Sequence, residues 1–326
     1  MNGPAPEQRT PPAERTGRYV ALCGGIGGAK LALGLSRRLR PDRLTLIVNS
    51  GDDFRHLGLH ISPDIDTVLY TLAGLADPER GWGRAAESWA VVETLGQLGG
   101  ETWFRLGDGD LALHLLRSER LAGGTRLTEV VADLCRRLSV GVQVLPPSDD
   151  PIRTVVETES GDLALQHYFV RARCKPAVRG LRYEGAETAR PAPEALAALA
   201  DTELRAVFLC PSNPYLSLGP MLALPGLRAA LGGLAVPRVA VCPLVGGRAV
   251  KGPLDKMMQE MGIAPGPQAV IDFYAGLIDA MVIDDADRGL ALSGTRIAVR
   301  PTLMRSLADR EALADAVLDL AEEMAS

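Results

Sequence analysis

The stretch YVALCGGIGGAKLALGL, residues 19–35, decides how this chain folds. Tyr19 to Cys23 form a short apolar run, five glycine-rich positions from Gly24 to Gly28 follow, and Leu31, Leu35 and Leu39 then recur at helical spacing. Strand, glycine turn and helix are thus written in that order. Backbone N–H groups at such a helix start favour a phosphate or a carboxylate. The turn is not a Walker loop, because Lys30 is not preceded by Gly and followed by Ser or Thr, and the glycines miss the GxGxxG register. Taken alone, these glycines fit a tight strand-to-helix turn as well as they fit a ligand loop.

Working outward, Leu44 to Val48 reads as a second buried strand that runs into the polar loop Asn49 to Ser62. Later strands at Ala206–Cys210 and Val239–Cys242 each end in a Pro-rich or Gly-rich loop, and helical patterns cover 65–76, 85–98 and 127–138. This alternation predicts an α/β fold, a Rossmann-like three-layer parallel sheet covered on both faces. Short alternating stretches at 154–158, 163–170 and 181–183 predict a small α+β insertion around 143–185. Residues 1–17 are rich in proline and charge and read as a disordered tail, leaving 18–326 as a single domain. In a doubly wound sheet, ligands sit beyond the carboxyl ends of the strands. The loops at 24–28, 49–66, 211–217 and 244–253 should therefore converge.

Bulk composition excludes several classes. The 326 residues are 47% hydrophobic, enough to bury a full core, and 35 Lys plus Arg against 40 Asp plus Glu give a net charge of −5. Without a clustered basic surface, nucleic acid is not expected as a partner. No apolar window approaches the length of a membrane span, and the first eighteen residues lack the apolar centre of a signal peptide, so a cytoplasmic enzyme is expected. Cys23, Cys135, Cys174, Cys210 and Cys242 are scattered without a CxxC, which suits reduced thiols.

The loops carry the chemistry. Asp52, Asp53, Asp64 and Asp66 crowd into fifteen residues after a buried strand, a pattern suited to a magnesium ion that keeps positions for water and phosphate. Helix capping is the competing reading of Asp64. Arg105-Leu-Gly-Asp-Gly-Asp110 offers a cation and two carboxylates in a turn. Pro211-Ser-Asn-Pro-Tyr-Leu-Ser217 presents hydroxyls and an amide suited to a nucleotide. Leu244 to Pro253 adds Gly247, Arg248 and Lys251, which can neutralise a diphosphate. His56, His60, His114 and His167 lack metal spacing and read as surface or partner-satisfied histidines. No GxSxG elbow supports a hydrolase.

With these segments in view, the chain resembles the 2-phospho-L-lactate transferases and phosphoenolpyruvate transferases of coenzyme F-420 biosynthesis. The matching stretches are GGIGGAKLALGL at 24–35, VNSGDDFRHLGLHISPDIDTVLYTLAG at 48–74, FRLGDGDLALHLLR at 104–117, LPPSDDPIRTVVET at 145–158, CPSNPYLSLGP at 210–220 and PLVGGRAVKGPLDKMM at 243–258. The resemblance implies a homodimer that uses magnesium and passes a guanylyl-activated three-carbon phospho-acid to the ribityl hydroxyl of 7,8-didemethyl-8-hydroxy-5-deazariboflavin, releasing GMP. It implies Asp52 and Asp64 as magnesium ligands and Asp66 and Arg105 as deazaflavin holders. It also places Gly25, Gly27, Gly28, Ser212, Asn213, Gly247, Arg248 and Lys251 on the nucleotide side. Asp66, then Asp53, is expected to orient or deprotonate the acceptor hydroxyl. The competing functions on such a scaffold are a nicotinamide-dependent oxidoreductase and a non-catalytic nucleotide-binding regulator. The dense carboxylates and broken GxGxxG register count against the first, and the presence of Asp52 and Asp64 with Arg105 counts against the second, since a binding module has no need of the acidic pair. Which acid is donated stays open, with phosphoenolpyruvate favoured over 2-phospholactate or a phosphoglycerate.

Overall fold

Every residue from Tyr19 to Cys23 is buried, as a strand covered on both faces requires. The computed structural model describes residues 15–325. In chain order, β1 (Arg18–Cys23) leads into α1 (Gly25–Arg38), and β2 (Leu44–Val48) leads into a hairpin of β3 (Phe54–His56) and β4 (Leu59–Ile61). Helices α2 (Pro63–Leu72), α3 (Ala90–Gln97), α4 (Asp108–Ala122) and α5 (Leu127–Arg137) precede β5 (Gln143–Leu145). A separate antiparallel sheet follows, made by β6 (Arg153–Thr158), β7 (Gly161–Ala164) and β8 (Val178–Glu184). Then come α6 (Pro193–Leu199), β9 (Leu204–Leu209), α7 (Gly219–Leu222), α8 (Pro225–Gly232) and β10 (Arg238–Val241). The chain ends with the hairpin β11 (Leu244–Val245) and β12 (Arg248–Ala249), α9 (Leu254–Glu260), α10 (Pro267–Phe273), β13 (Ala280–Ile283), β14 (Arg296–Val299) and α11 (Leu307–Ala325).

Seven strands make one parallel sheet in the order β14-β13-β10-β9-β1-β2-β5. The chain starts inside the sheet, beside its central strand, builds outward through β2 and β5, then returns to the other side of β1 with β9. The switch in direction therefore falls between β1 and β9, where a crevice opens at the carboxyl ends. Register brings those ends level, with Cys23 beside Val48 and Leu22 beside Leu209.

Alternate residues of the strands feed two cores, as a period of two demands. Tyr19, Ala21, Leu46 and Phe208 pack with Leu31, Val68, Val131 and Val317 on one face; Val20, Leu22, Ile47 and Val207 pack with Ala195, Leu227, Met258 and Val270 on the other. A third, smaller cluster, including Val156, Leu165 and Tyr168, lies under the antiparallel sheet.

Several boundaries differ from the sequence expectation. Gln143–Leu145, grouped there with the insertion, is the edge strand of the main sheet and pairs in parallel with Thr45–Ile47. The stretch 163–170 is strand only to Ala164. Leu165 and Tyr168 then both enter the third core, three residues apart, and that spacing belongs to the π-helical turn His167–Arg171. The helix expected from Ala85 begins at Ala90, because Asp108 accepts hydrogen bonds from the N–H groups of Ala90 and Val91. Of the proposed tail, residues 1–14 lie outside the described residues. Arg15 pairs with Asp319 at 2.6 Å and Glu322 at 3.3 Å on α11.

The closest helix contact tests this packing. A Cβ at Gly34 would stand 2.1 Å from the carbonyl oxygen of Arg310, a backbone atom that cannot swing aside. Gly34→Ala should therefore destabilise the protein by about 1–3 kcal/mol through overpacking. Calorimetry should show a lower Tm, and an unchanged Tm would contradict the α1–α11 contact.

Candidate active site

The loops after β1, β2 and β9 and the segment from Val245 to Pro253 border one cavity of about 1000 Å³. Two of these loops are tied directly, because the Gly24 N–H donates to Ser212 Oγ at 3.0 Å. Glycine makes the approach possible. A Cβ at Gly27 would lie 2.3 Å from the Pro211 carbonyl oxygen, and one at Gly28 would lie 2.5 Å from Ser212 Oγ. Gly25 additionally adopts φ of +63°, a left-handed conformation costly for other residues.

The start of α1 meets a carboxylate from the chain itself. Asp64 Oδ1 accepts from the Gly25 N–H at 2.6 Å, and Oδ2 accepts from Asn49 Nδ2 at 2.9 Å. Neither oxygen caps α2, so the capping reading of Asp64 gives way to a bridging one. The same Asn49 nitrogen lies 3.4 Å from Asp52 Oδ1. Burial pushes Asp64 up to about 6 against the pull of Asn49, Gly25 and Ser217, and burial followed by the charge of Asp64 pushes Asp52 well above the carboxylate range. Among the described residues, no arginine or lysine forms a salt bridge with either. Two buried carboxylates lacking a cation, on the wall of an open cavity, match a hard divalent ion that takes one or two carboxylates and shares its other positions with water and phosphate. No group of three or more His, Cys, Asp or Glu among the described residues forms a closed protein cage.

The other two aspartates are differently placed. Asp53 Oδ2 accepts from Ser62 Oγ at 2.8 Å and lies 2.9 Å from His60 Nε2, and Asp53 is not on the cavity wall. Asp66 is on the wall, yet both its oxygens accept from the wholly buried Arg117, with Nη1 to Oδ2 at 3.0 Å and Nη2 to Oδ1 closer. For both, the sequence expectation of a proton acceptor meets a carboxylate already in contact with other side chains, His60 and Ser62 at Asp53 and Arg117 at Asp66. Asp53 is turned away by the β3–β4 hairpin, and Asp66 is already neutralised.

The expected binding residues divide in the same way. Gly25, Gly27, Ser212, Asn213, Arg105 and Lys251 line the cavity. Asn213 also caps the next turn, its Oδ1 accepting from the N–H groups of Tyr215 and Leu216. Arg105 stacks 4.5 Å over the Trp89 ring, and Lys251 Nζ donates to the Gly81 carbonyl at 3.3 Å across the mouth. Gly28, Gly247 and Arg248 are not on the wall. Gly28 is buried behind the turn, while Gly247 and an exposed Arg248 form the outer end of the β11–β12 hairpin.

Sequence reasoning gave no site role to Arg117 or Lys30, and it passed over the aromatic wall of Trp82, Trp103, Phe104 and Phe169. A signal for Arg117 existed. Asp110, His114 and Arg117 recur at i, i+4 and i+7, which places them on one helical face. The wall aromatics come from segments far apart in sequence and have no such spacing.

Fold and site together define an α/β enzyme working at the switch point of a parallel sheet. The profile of the 2-phospho-L-lactate transferase CofD family matches residues 19–296, and the chain belongs to this family. It is 40% identical to a phosphoenolpyruvate transferase of Kitasatospora aureofaciens over 94% of this chain and 98% of that protein. It is also 39% identical to a 2-phospho-L-lactate transferase of Methanopyrus kandleri, over 94% and 98%. In fold it is similar to a Bacillus halodurans crystal structure, with a TM-score of 0.61 and 17% identity, covering 93% of this chain and 100% of that one. The enzyme is thus a phospho-acid transferase, and the oxidoreductase and regulator readings fall.

A cation should compete with the proton that Asp64 takes up at low pH. Its carboxyl is raised from 3.8 to about 6, so the folded state binds more protons than the unfolded one, and this group's contribution falls as pH rises through that window. Magnesium should therefore raise Tm more at pH 7.5 than at pH 5. Scanning calorimetry at both values, with and without magnesium chloride, checks this; equal shifts would contradict a cation held on Asp52 and Asp64.

Proposed function

We propose that this enzyme transfers a guanylyl-activated three-carbon phospho-acid, phosphoenolpyruvate or 2-phospho-L-lactate, to the ribityl hydroxyl of 7,8-didemethyl-8-hydroxy-5-deazariboflavin. GMP is released, and the product enters coenzyme F-420 biosynthesis. The observation that carries this reading is the mixed wall of one cavity. Asp52, Asp64, Lys30 and Lys251 share it with Trp82, Trp103, Phe104 and Phe169. A phosphate-rich donor suits the charged part, and a flat ring system suits the aromatic part. Phosphoenolpyruvate is the favoured acid, the word carried by the name of the Kitasatospora relative. A cytoplasmic homodimer belongs to the same reading.

In this mechanism the acceptor oxygen attacks the phosphorus of the phospho-acid, a phosphodiester forms, and the bond to the guanylyl group breaks. Positioning and charge neutralisation supply most of the catalysis in such transfers. Asp52 and Asp64 would hold magnesium, which when bound supplies positive charge at the reacting phosphate. Lys251 and Lys30 add cationic charge on the same wall. Gly25, Gly27, Ser212 and Asn213 border the guanine nucleotide, and Arg105 orients the deazaflavin.

Mixing the enzyme with the deazaflavin alcohol, magnesium and each activated acid, then weighing the product, tests the reaction. Asp52→Asn and Asp64→Asn should each lower turnover at least about 100-fold, roughly 2.7 kcal/mol at the transition state, with circular dichroism unchanged. Near-parental rates in the folded variants would remove the magnesium assignment.

Arg105→Ala should weaken deazaflavin binding by about 1.5–3 kcal/mol, one charge-assisted contact, and leave guanine-nucleotide binding nearly unchanged. Deazaflavin fluorescence titration measures this. Unaltered affinity would reduce Arg105 to a partner of Trp89.

A further inference from the structure

Five polar side chains of α2 and α4 pack together behind and along the cavity wall: Asp66, Tyr70, Asp110, His114 and Arg117. Arg117 grips Asp66 and places Nη1 3.3 Å from His114 Nδ1. His114 is buried, and its Nε2 lies 3.2 Å from Asp110 Oδ1 but poorly aligned with it. The Tyr70 hydroxyl donates to the same Oδ1 at 2.5 Å. Oδ1 thus accepts from Tyr70 and faces His114, whereas no described residue engages Oδ2, and Asp110 lines the cavity.

The neighbouring carboxylate has no such freedom. Asp108 accepts from Ser88 Oγ at 2.6 Å and from the N–H groups of Ala90 and Val91 at 3.1 Å each, all outside the cavity wall. Asp53 is turned away and Asp66 is neutralised, as described above. Burial alone would raise Asp110, but His114, Tyr70 and Arg117 outweigh it and hold the carboxyl below its usual range. The group is therefore ionised at neutral pH.

Resting on the transfer reaction above, we propose that Asp110 Oδ2 accepts the proton of the acceptor hydroxyl during phosphodiester formation. As the acceptor oxygen bonds to phosphorus, its O–H bond breaks and the proton passes to Oδ2. The bond from phosphorus to the guanylyl oxygen breaks at the same time, and its electron pair departs with GMP. A fixed, weakly basic carboxylate suffices, because in a loose phosphoryl transition state most of the catalysis is positioning. Tyr70 and His114 are positioning residues that engage Oδ1 and leave Oδ2, on a residue of the cavity wall, without a described protein partner.

The test uses the full-length enzyme with the deazaflavin alcohol, magnesium and guanylyl-activated phosphoenolpyruvate or 2-phospho-L-lactate. Parental enzyme that releases no GMP with either donor would fail the functional reading itself, and the inference with it. With an active parent, Asp110→Asn should lower kcat at least about 100-fold while deazaflavin affinity by fluorescence stays close to parental. A folded Asp110→Asn enzyme with kcat within a few-fold of the parent would overturn the proposal.

Tyr70→Phe keeps the carboxylate and removes one donor from Oδ1. Its kcat should fall by less than about tenfold, and carboxyl NMR should show Asp110 itself titrating at higher pH than in the parent, since losing that donor raises it. The charged and titratable neighbours in play are Asp66, His114 and Arg117, with Glu87 and Arg84 from the preceding loop. A Tyr70→Phe enzyme with parental kcat and an unmoved Asp110 titration would also overturn the proposal, and this variant decides the matter if Asp110→Asn does not fold.

Discussion

One buried carboxylate holds the site together. Asp64 accepts from the Gly25 amide at the start of α1 and from Asn49 Nδ2 at the end of β2, and the same Asn49 nitrogen donates to the Leu216 carbonyl beyond β9. Three loops leaving three adjacent strands thus meet at this carboxylate and its Asn49 partner. Buried polar groups must be paired, so each donor fixes the loop that carries it. The crevice at the switch point keeps its shape because Asp64 does.

The buried acids divide by how their charge is met. Asp66 finds Arg117, whose guanidinium is sealed from solvent, and the pair is neutral within the protein. Breaking such a pair leaves an uncompensated charge and costs about 3–5 kcal/mol. Asp52 and Asp64 have no such partner among the described residues, and burial raises both. Their charge is left for something outside the chain to neutralise. One acid in the cluster therefore serves the fold, while the neighbouring pair is poised for a cation.

The antiparallel sheet contributes the remaining wall. Leu165, Gln166, Phe169, Val170 and Arg173 line the cavity from the turn between β7 and β8. Arg173 and Cys174 hold left-handed φ values of 53° and 55°, a conformation that costs a non-glycine residue about 1 kcal/mol or more. Cys174 N–H reaches the Tyr168 carbonyl at 2.9 Å, and Tyr168 is fully buried in the third core. Packing of Tyr168 thus sustains the strained turn that presents Arg173.

Some of this was legible in the sequence because it depends on neighbours along the chain. A strand, a glycine turn and leucines at helical spacing follow from backbone sterics and burial, so the parallel sheet and its loop cluster could be read from residues 19–48. The crowding of Asp52 and Asp64 was also legible, since both follow a buried strand within fifteen residues and few cations lie nearby in sequence. Tertiary structure alone decided which way each side chain turns. The β3–β4 hairpin rotates Asp53 toward His60 and Ser62, a second hairpin carries Arg248 off the wall, and Arg117 reaches Asp66 from fifty-one residues away. Only the three-dimensional packing of α2 against α4 commits both oxygens of Asp66 and leaves Oδ2 of Asp110 free. Sequence spacing sets which residues can share a face, whereas the partner that each charge meets depends on elements distant in the chain.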